Sequence, residues 1–97
     1  MQENMEISSS YTTKDFNLAA FLWTYKKEGK KTELEKYVPS QEGPTKVVLY
    51  FTFTLPMSAE DGQKLAMSYF NGDCLVEPRD FAGAQGRLKD LIHSQKN

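Results

Sequence analysis

K-V-V-L-Y-F-T-F-T-L, residues 46–55, is the one long run of β-branched and aromatic side chains in this sequence. A period of two places Val47, Leu49, Phe51, Phe53 and Leu55 on one face of a strand, and Val48, Tyr50, Thr52 and Thr54 on the other. The first face is wholly apolar and demands burial. The second is mixed and suits water, a partner or a thin cover.

Outward from this strand, K-T-E-L-E-K-Y-V at 31–38 alternates more weakly. Leu34 and Val38 fall on one face, Glu33, Glu35 and Tyr37 on the other. P-S-Q-E-G-P-T at 39–45 is dense in turn formers. The two strands, 31–38 and 46–55, therefore predict a wide central hairpin with a loop of about seven residues, longer than usual. Further upstream, Thr12-Thr13-Lys14-Asp15 fits a capping box. The helix it opens reads D-F-N-L-A-A-F-L-W-T-Y-K-K. Leu18, Ala19, Leu22 and Tyr25 or Lys26 follow the helical period, and Phe16, Phe21 and Trp23 widen the stripe. That width predicts burial on more than one side. Lys26 and Lys27 suit the negative end of the helix dipole, and Gly29 reads as the C′ stop. Residues 1–10 read as a flexible N-terminal arm, with a short edge strand at 6–11 as the alternative, and residues 11–97 as a single domain.

Downstream, Pro56 ends the strand and Ser58-Ala59-Glu60-Asp61 forms a second capping box. Its helix runs to about Phe70, with Leu65, Ala66, Tyr69 and Phe70 inward and Asn71-Gly72 as the stop. Cys74-Leu75-Val76 reads as a third strand or a buried connector. Glu77-Pro78 opens the last helix, whose Phe81, Ala84, Leu88, Leu91 and Ile92 make one apolar stripe. The order (β)αββα(β)α predicts a two-layer α+β fold, a small antiparallel sheet packed by three helices. If both optional strands form, the plan becomes ferredoxin-like, βαββαβ, plus a C-terminal helix.

Composition narrows the chemistry. A chain of 97 residues suits one domain and buries roughly two-thirds of its unfolded surface. Hydrophobic residues at 39% and aromatics at 12% argue against disorder. Twelve basic and 13 acidic residues give a net charge of −1, so contact with nucleic acid requires a local patch. One cysteine, Cys74, leaves no intrachain disulfide, and with the lone His93 it makes no Cys/His zinc site. Cys74 in an apolar run reads as a buried thiol. There is no 18-residue apolar run and no leader-like N-terminus, so a cytoplasmic location is expected. Phosphate-loop, dinucleotide-binding and nucleophile motifs are missing. The expectation is a non-enzymatic binding module with no cofactor.

Four stretches, Y-T-T-K-D-F-N-L-A-A-F-L at 11–22, Y-F-N-G at 69–72, V-E-P-R-D-F-A at 76–82 and R-L-K-D-L-I at 87–92, carry a resemblance. Together they resemble a family of small domains of unknown function found in phages, prophage regions and other prokaryotic genomes. The resemblance spans residues 11–93, and its last motif is the most specific. The loop at 39–45 is longer than the family pattern leads one to expect. The resemblance implies a compact stand-alone domain and carries over no activity or site residue. A mobile-element origin implies accessory work: regulation, inhibition of host systems or nucleic-acid transactions.

Four surfaces are candidate sites. Lys26, Lys27, Lys30 and Lys31 crowd one turn and Lys36 follows, a basic cluster over 26–36 that suits phosphate contact or simple solvation. Arg79, in the first turn of the last helix, suits anion recognition beside free backbone N–H groups, or a local ion pair. Tyr37, Val48 and Tyr50 on the second sheet face suit protein contact or, less well beside Glu33 and Glu35, base stacking. Gly83 and Gly86, away from the apolar stripe of the last helix, suit close approach of a partner or are tolerated surface positions. Trp23 reads as core. The leading functional expectation is a protein-interaction or inhibitor module with a protein partner, or a homodimer. The alternative is an accessory nucleic-acid-binding protein using the lysine cluster.

Overall fold

The computed structural model describes residues 7–94. Residues 1–6 of the expected arm and the last three residues of the tail lie outside this range.

β5 (Val47–Leu55) occupies the centre of a three-stranded antiparallel sheet, with β1 (Ser9–Thr13) on one edge and β4 (Glu33–Gln41) on the other. Ser9 and Ser10, expected within the arm, pair with Leu55 and Thr54, so the alternative edge strand at 6–11 is the one that forms, shifted to Ser9–Thr13. β4 also runs further, through Pro39, because its outer edge needs no ladder donor there. The connecting loop shrinks to residues 42–46 and is closed by the Glu42 N–H on the Lys46 carbonyl at 2.9 Å.

The register corrects the expected faces of the first hairpin strand. Leu34 lies opposite Phe53 and Lys36 opposite Thr52, with an irregularity between them that leaves Glu35 as the extra residue. One inserted residue reverses side-chain parity for everything after it. Tyr37 thus lies opposite Phe51 and packs against the core, while Val38 lies opposite Tyr50 on the open face and is 47% exposed.

α1 (Phe16–Thr24) is capped by Asp15 rather than Thr12. The Asp15 carboxylate accepts from the Leu18 N–H at 2.8 Å, and the Thr13 hydroxyl accepts from the Asp15 N–H at 3.0 Å. The helix also ends early. After Thr24 the chain forms a tight hairpin, β2 (Lys26–Lys27) with β3 (Lys30–Lys31). Glu28 at φ 52° and Gly29 at φ 82° make its two-residue turn, whose left-handed pair of central residues matches the strand twist. Gly29 is therefore a hairpin turn residue and not a helix stop. The Thr32 N–H on the Tyr25 carbonyl at 3.1 Å ties the base of this hairpin.

α2 (Ala59–Phe70) and α3 (Pro78–Ser94) begin where the sequence places them. Ser58 accepts from the Asp61 N–H at 3.2 Å, and Glu77 accepts from the Asp80 N–H at 2.9 Å. Asn71 and Gly72 (φ 75°) end α2. Residues 74–76 form no strand, so the ferredoxin-like alternative is not realised. Cys74 and Val76 are half-buried rather than buried, and Leu75 between them is 98% exposed. Phe70, expected inward, is 55% exposed.

The three helices and the small sheet make an α+β fold. Its core joins Phe51, Phe53 and Leu55 of β5 to Leu18, Ala19, Ala20, Phe21 and Leu22 of α1, Ala66 of α2, and Ala84 and Leu88 of α3. α1 is buried on more than one side, as its wide stripe predicts. α2 comes close to the sheet at Gly62, where an added Cβ would stand 2.8 Å from Leu55 Cδ1. At Gly83 and Gly86 an added Cβ meets nothing within 4 Å, so no described backbone approaches them. Gly62→Ala is expected to lower stability by about 1–3 kcal/mol through overpacking of the buried Leu55. Gly86→Ala is expected to raise it by about 0.5–1 kcal/mol through helix propensity. Urea denaturation of the two variants gives the comparison, and a Gly62→Ala midpoint at or above the parent's would refute the close approach.

Candidate phosphate-binding cleft

The open face of the sheet carries a satisfied polar row. The Thr12 and Thr52 hydroxyls bond each other at 2.9 Å. Glu35, pushed out by the bulge, accepts from Ser10 and Thr54, each at 3.2 Å. Near the hairpin loop, Glu42 accepts from Lys14 Nζ at 2.8 Å and from the Tyr50 hydroxyl at 2.5 Å. Tyr50 and Val48 thus lie on the face the sequence assigned them, but Tyr37 does not join them. The Tyr50 hydroxyl is held by a carboxylate, which suits this face poorly to a phosphate backbone.

The lysines divide by strand geometry. Directly paired residues of an antiparallel ladder share a face. Lys26 pairs with Lys31, and Lys27 with Lys30. Lys27 and Lys30 line a cleft with Ser58 and Asp61 at the start of α2. Lys26 and Lys31 line a different cleft, of about 320 Å³, against α3. Lys36, opposite Thr52, belongs to the open sheet face. Lys30 and Lys31 also share a third cleft with Glu33 and Thr54, so the expected basic cluster over 26–36 is divided between faces without being wholly separated.

The cleft at α3 gathers residues that the sequence kept apart. Lys26 and Lys31 meet Arg79 and Arg87 there, with Trp23, Thr24, Thr32, Asp80 and Gly83 completing the lining. Arg79, Gly83 and Arg87 are spaced four apart, so they form one row on α3. Gly83, with no side chain, leaves the gap between the two arginines open. Among the described residues neither arginine and neither lysine of the cleft forms an ion pair, and Asp80 pairs with none of them. Arg79 therefore lacks the local carboxylate partner that its structural explanation required.

Three residues of this cleft, Trp23, Arg87 and Thr32, escaped the sequence reading. Trp23, read as core, is half-buried: its ring tilts against Phe53 at 6.2 Å and carries the Arg87 guanidinium 4.3 Å from its centroid. Such a cation–π contact holds the guanidinium beside the ring. Thr32 is only 3% exposed, and its hydroxyl has no hydrogen-bond partner among the described residues. The four-residue spacing of Arg79, Gly83 and Arg87 was the sequence signal for this row. Nothing comparable marked Thr32, whose burial depends on the hairpin.

Among the described residues, no three His, Cys, Asp or Glu side chains come together as a metal site, and no helix is long and apolar enough to cross a membrane. Comparison with models of protein families, with curated proteins and with solved structures found no match to this chain.

The Lys14–Glu42–Tyr50 group has a measurable titration. Hydrogen bonds from Lys14 and Tyr50 hold the Glu42 carboxyl below its usual range, so this contribution is lost as pH falls through the carboxylate range. The bond to Glu42 raises the Tyr50 phenol, so that donor is lost only as pH rises past the ordinary tyrosine range. Burial raises Tyr69 as well. NMR titration is expected to show both tyrosines ionising high, with Tyr50 alone falling back in Glu42→Gln; a Tyr50 titration unmoved by that substitution would remove the bond.

Proposed function

We propose that this chain is a nucleic-acid-binding module that holds backbone phosphates in the cleft between the lysine hairpin and α3. The supporting observation is the convergence of Lys26, Lys31, Arg79 and Arg87 on one cleft with no ion pair among them. Like charges brought together repel. Solvated lysines on separate turns avoid this cost, whereas a bound polyanion reverses its sign. A net charge of −1 gives no long-range attraction, so binding depends on this local group and on its release of counterions. Phosphate contacts of this kind position a nucleic acid without reading its sequence.

A second reading, protein contact through the open sheet face, keeps Val48 and Tyr50 and gains the exposed Val38. It loses Tyr37 to the core, and no described backbone approaches Gly83 or Gly86. The cleft carries the stronger argument.

Fluorescence anisotropy with labelled DNA or RNA tests the proposal. Four phosphate contacts are expected to give a slope of about −3 to −4 in log affinity against log salt. The pair Lys31→Glu and Arg79→Glu is expected to abolish binding at moderate salt, while Lys36→Glu on the other face leaves it nearly unchanged. Absence of binding at low salt, or equal loss from Lys36→Glu, would overturn it.

A further inference from the structure

We infer that the cleft accepts one unpaired nucleotide of a single strand: its phosphate bonds Thr32 and the surrounding cations, and its base lies on the Arg87 guanidinium. This rests on the phosphate-binding reading above and narrows it to a substrate class.

Thr32 is the first ground. The residue lines the cleft with Lys31 and Arg79, and its hydroxyl is buried with no hydrogen-bond partner among the described residues. A buried polar group without a partner opposes folding unless something satisfies it. A phosphate oxygen accepts from a hydroxyl, and the cations around Thr32 favour that charge. A neutral ligand would satisfy the hydroxyl and leave Lys26, Lys31 and Arg79 unanswered.

The Trp23–Arg87 stack is the second ground. The guanidinium carbon lies over the indole, 4.3 Å from its centroid. Arg87 is otherwise an exposed residue of the cleft lining. Bases splayed out of a strand stack on arginine planes as they do on aromatic rings. A base inside a duplex presents no free face for this. The cleft volume, about 320 Å³, lies at the small end of ligand pockets, which suits one nucleotide. Gly83 keeps the space between Arg79 and Arg87 open, since an added Cβ there would meet no neighbour within 4 Å.

Trp23 is the one tryptophan of the chain, so its fluorescence reports directly on this cleft. The experiment titrates the intact chain with a short mixed-sequence single strand, with the duplex of the same sequence, and with inorganic polyphosphate. The single strand is expected to change Trp23 emission and to bind at least about tenfold tighter than the duplex. Polyphosphate is expected to bind without the same spectral change. Thr32→Val is expected to weaken single-strand binding about tenfold, the loss of one hydrogen bond to a charged group. Its thermal midpoint is expected to stay level or rise, because the variant removes a polar group that has no partner. Gly83→Leu, which fills the gap between the arginines, is expected to abolish the Trp23 response while the helix remains stable. Duplex or polyphosphate matching the single strand in affinity and in spectral change would overturn the nucleotide site and leave phosphate binding standing. Parent-like single-strand affinity in Thr32→Val would overturn the role of Thr32. No binding of any of the three polyanions would overturn both proposals.

Discussion

Phe51, Phe53 and Leu55 leave β5 on one face at two-residue intervals, and all three are buried. Full burial of side chains this size is worth roughly 1.5–3 kcal/mol each. Each edge of the same strand is held by a ladder, β1 on one side and β4 on the other. Those two conditions place the remaining elements. α1 must lie across the apolar face, because only its wide stripe can meet Phe53 on one side and α3 on the other. α2 must cross near Leu55, and it does so where Gly62 removes the obstructing side chain. Tyr69 then stacks on Phe21 at 5.1 Å, so the end of α2 is fixed against α1 rather than against the strand. α3 closes the far side of α1 through Ala84 and Leu88.

This much of the fold was legible because hydrophobic period and capping chemistry are local. The apolar face of β5, the start of α2 at Ser58 and the start of α3 after Glu77 all follow from residues within a few positions of one another. The errors share a cause: each turned on a contact distant in sequence. Glu35 becomes a bulge residue where its carboxylate meets Ser10 and Thr54, and neither is its neighbour in sequence. The reversed parity then sends Tyr37 inward and Val38 outward. The stretch Y-K-K-E-G-K-K at 25–31 fits a helix end or a two-residue hairpin equally well by composition. The hairpin prevails because β4 must be delivered to β5 in register, and a helix continuing through Lys27 would carry the chain away from that edge. Residues 74–76 are apolar enough for a strand, but the edges of β5 are already occupied by β1 and β4.

The cleft was half legible. The sequence marked the lysines as a run and Arg79 as a separate helix-end residue. Their union with Arg87 and Trp23 is a consequence of the hairpin. The ladder assigns Lys26 and Lys31 to one face and sends Lys27 and Lys30 to the other. α1 presents Trp23 at its last turn, and α3 presents Arg79, Gly83 and Arg87 in a row. Helix periodicity makes that row readable in advance, though only a known partner surface gives it meaning.

The two polar surfaces of the molecule are built on opposite terms. On the open sheet face Thr12 meets Thr52, Glu35 meets Ser10 and Thr54, and Glu42 meets Lys14 and Tyr50. Around the cleft the reverse holds. Among the described residues four cations gather without an ion pair and the Thr32 hydroxyl is buried without a partner, and Glu28 holds a left-handed backbone at φ 52°. A left-handed conformation costs a non-glycine residue roughly 1–2 kcal/mol, and an unsatisfied buried hydroxyl costs roughly 1–3 kcal/mol. Neither the gathered cations nor the orphan hydroxyl is needed to bury Phe51, Phe53 or Leu55. Local departures from the most stable choice tend to collect where a molecule binds something. Here two of them, the gathered cations and the orphan hydroxyl, share one cleft, and the third is the turn of the hairpin that delivers Lys26, Lys31 and Thr32 to it. A bound phosphate answers the first two together: its charge offsets the cations and its oxygen accepts from Thr32. The strained turn is then the local condition for bringing those groups to one place.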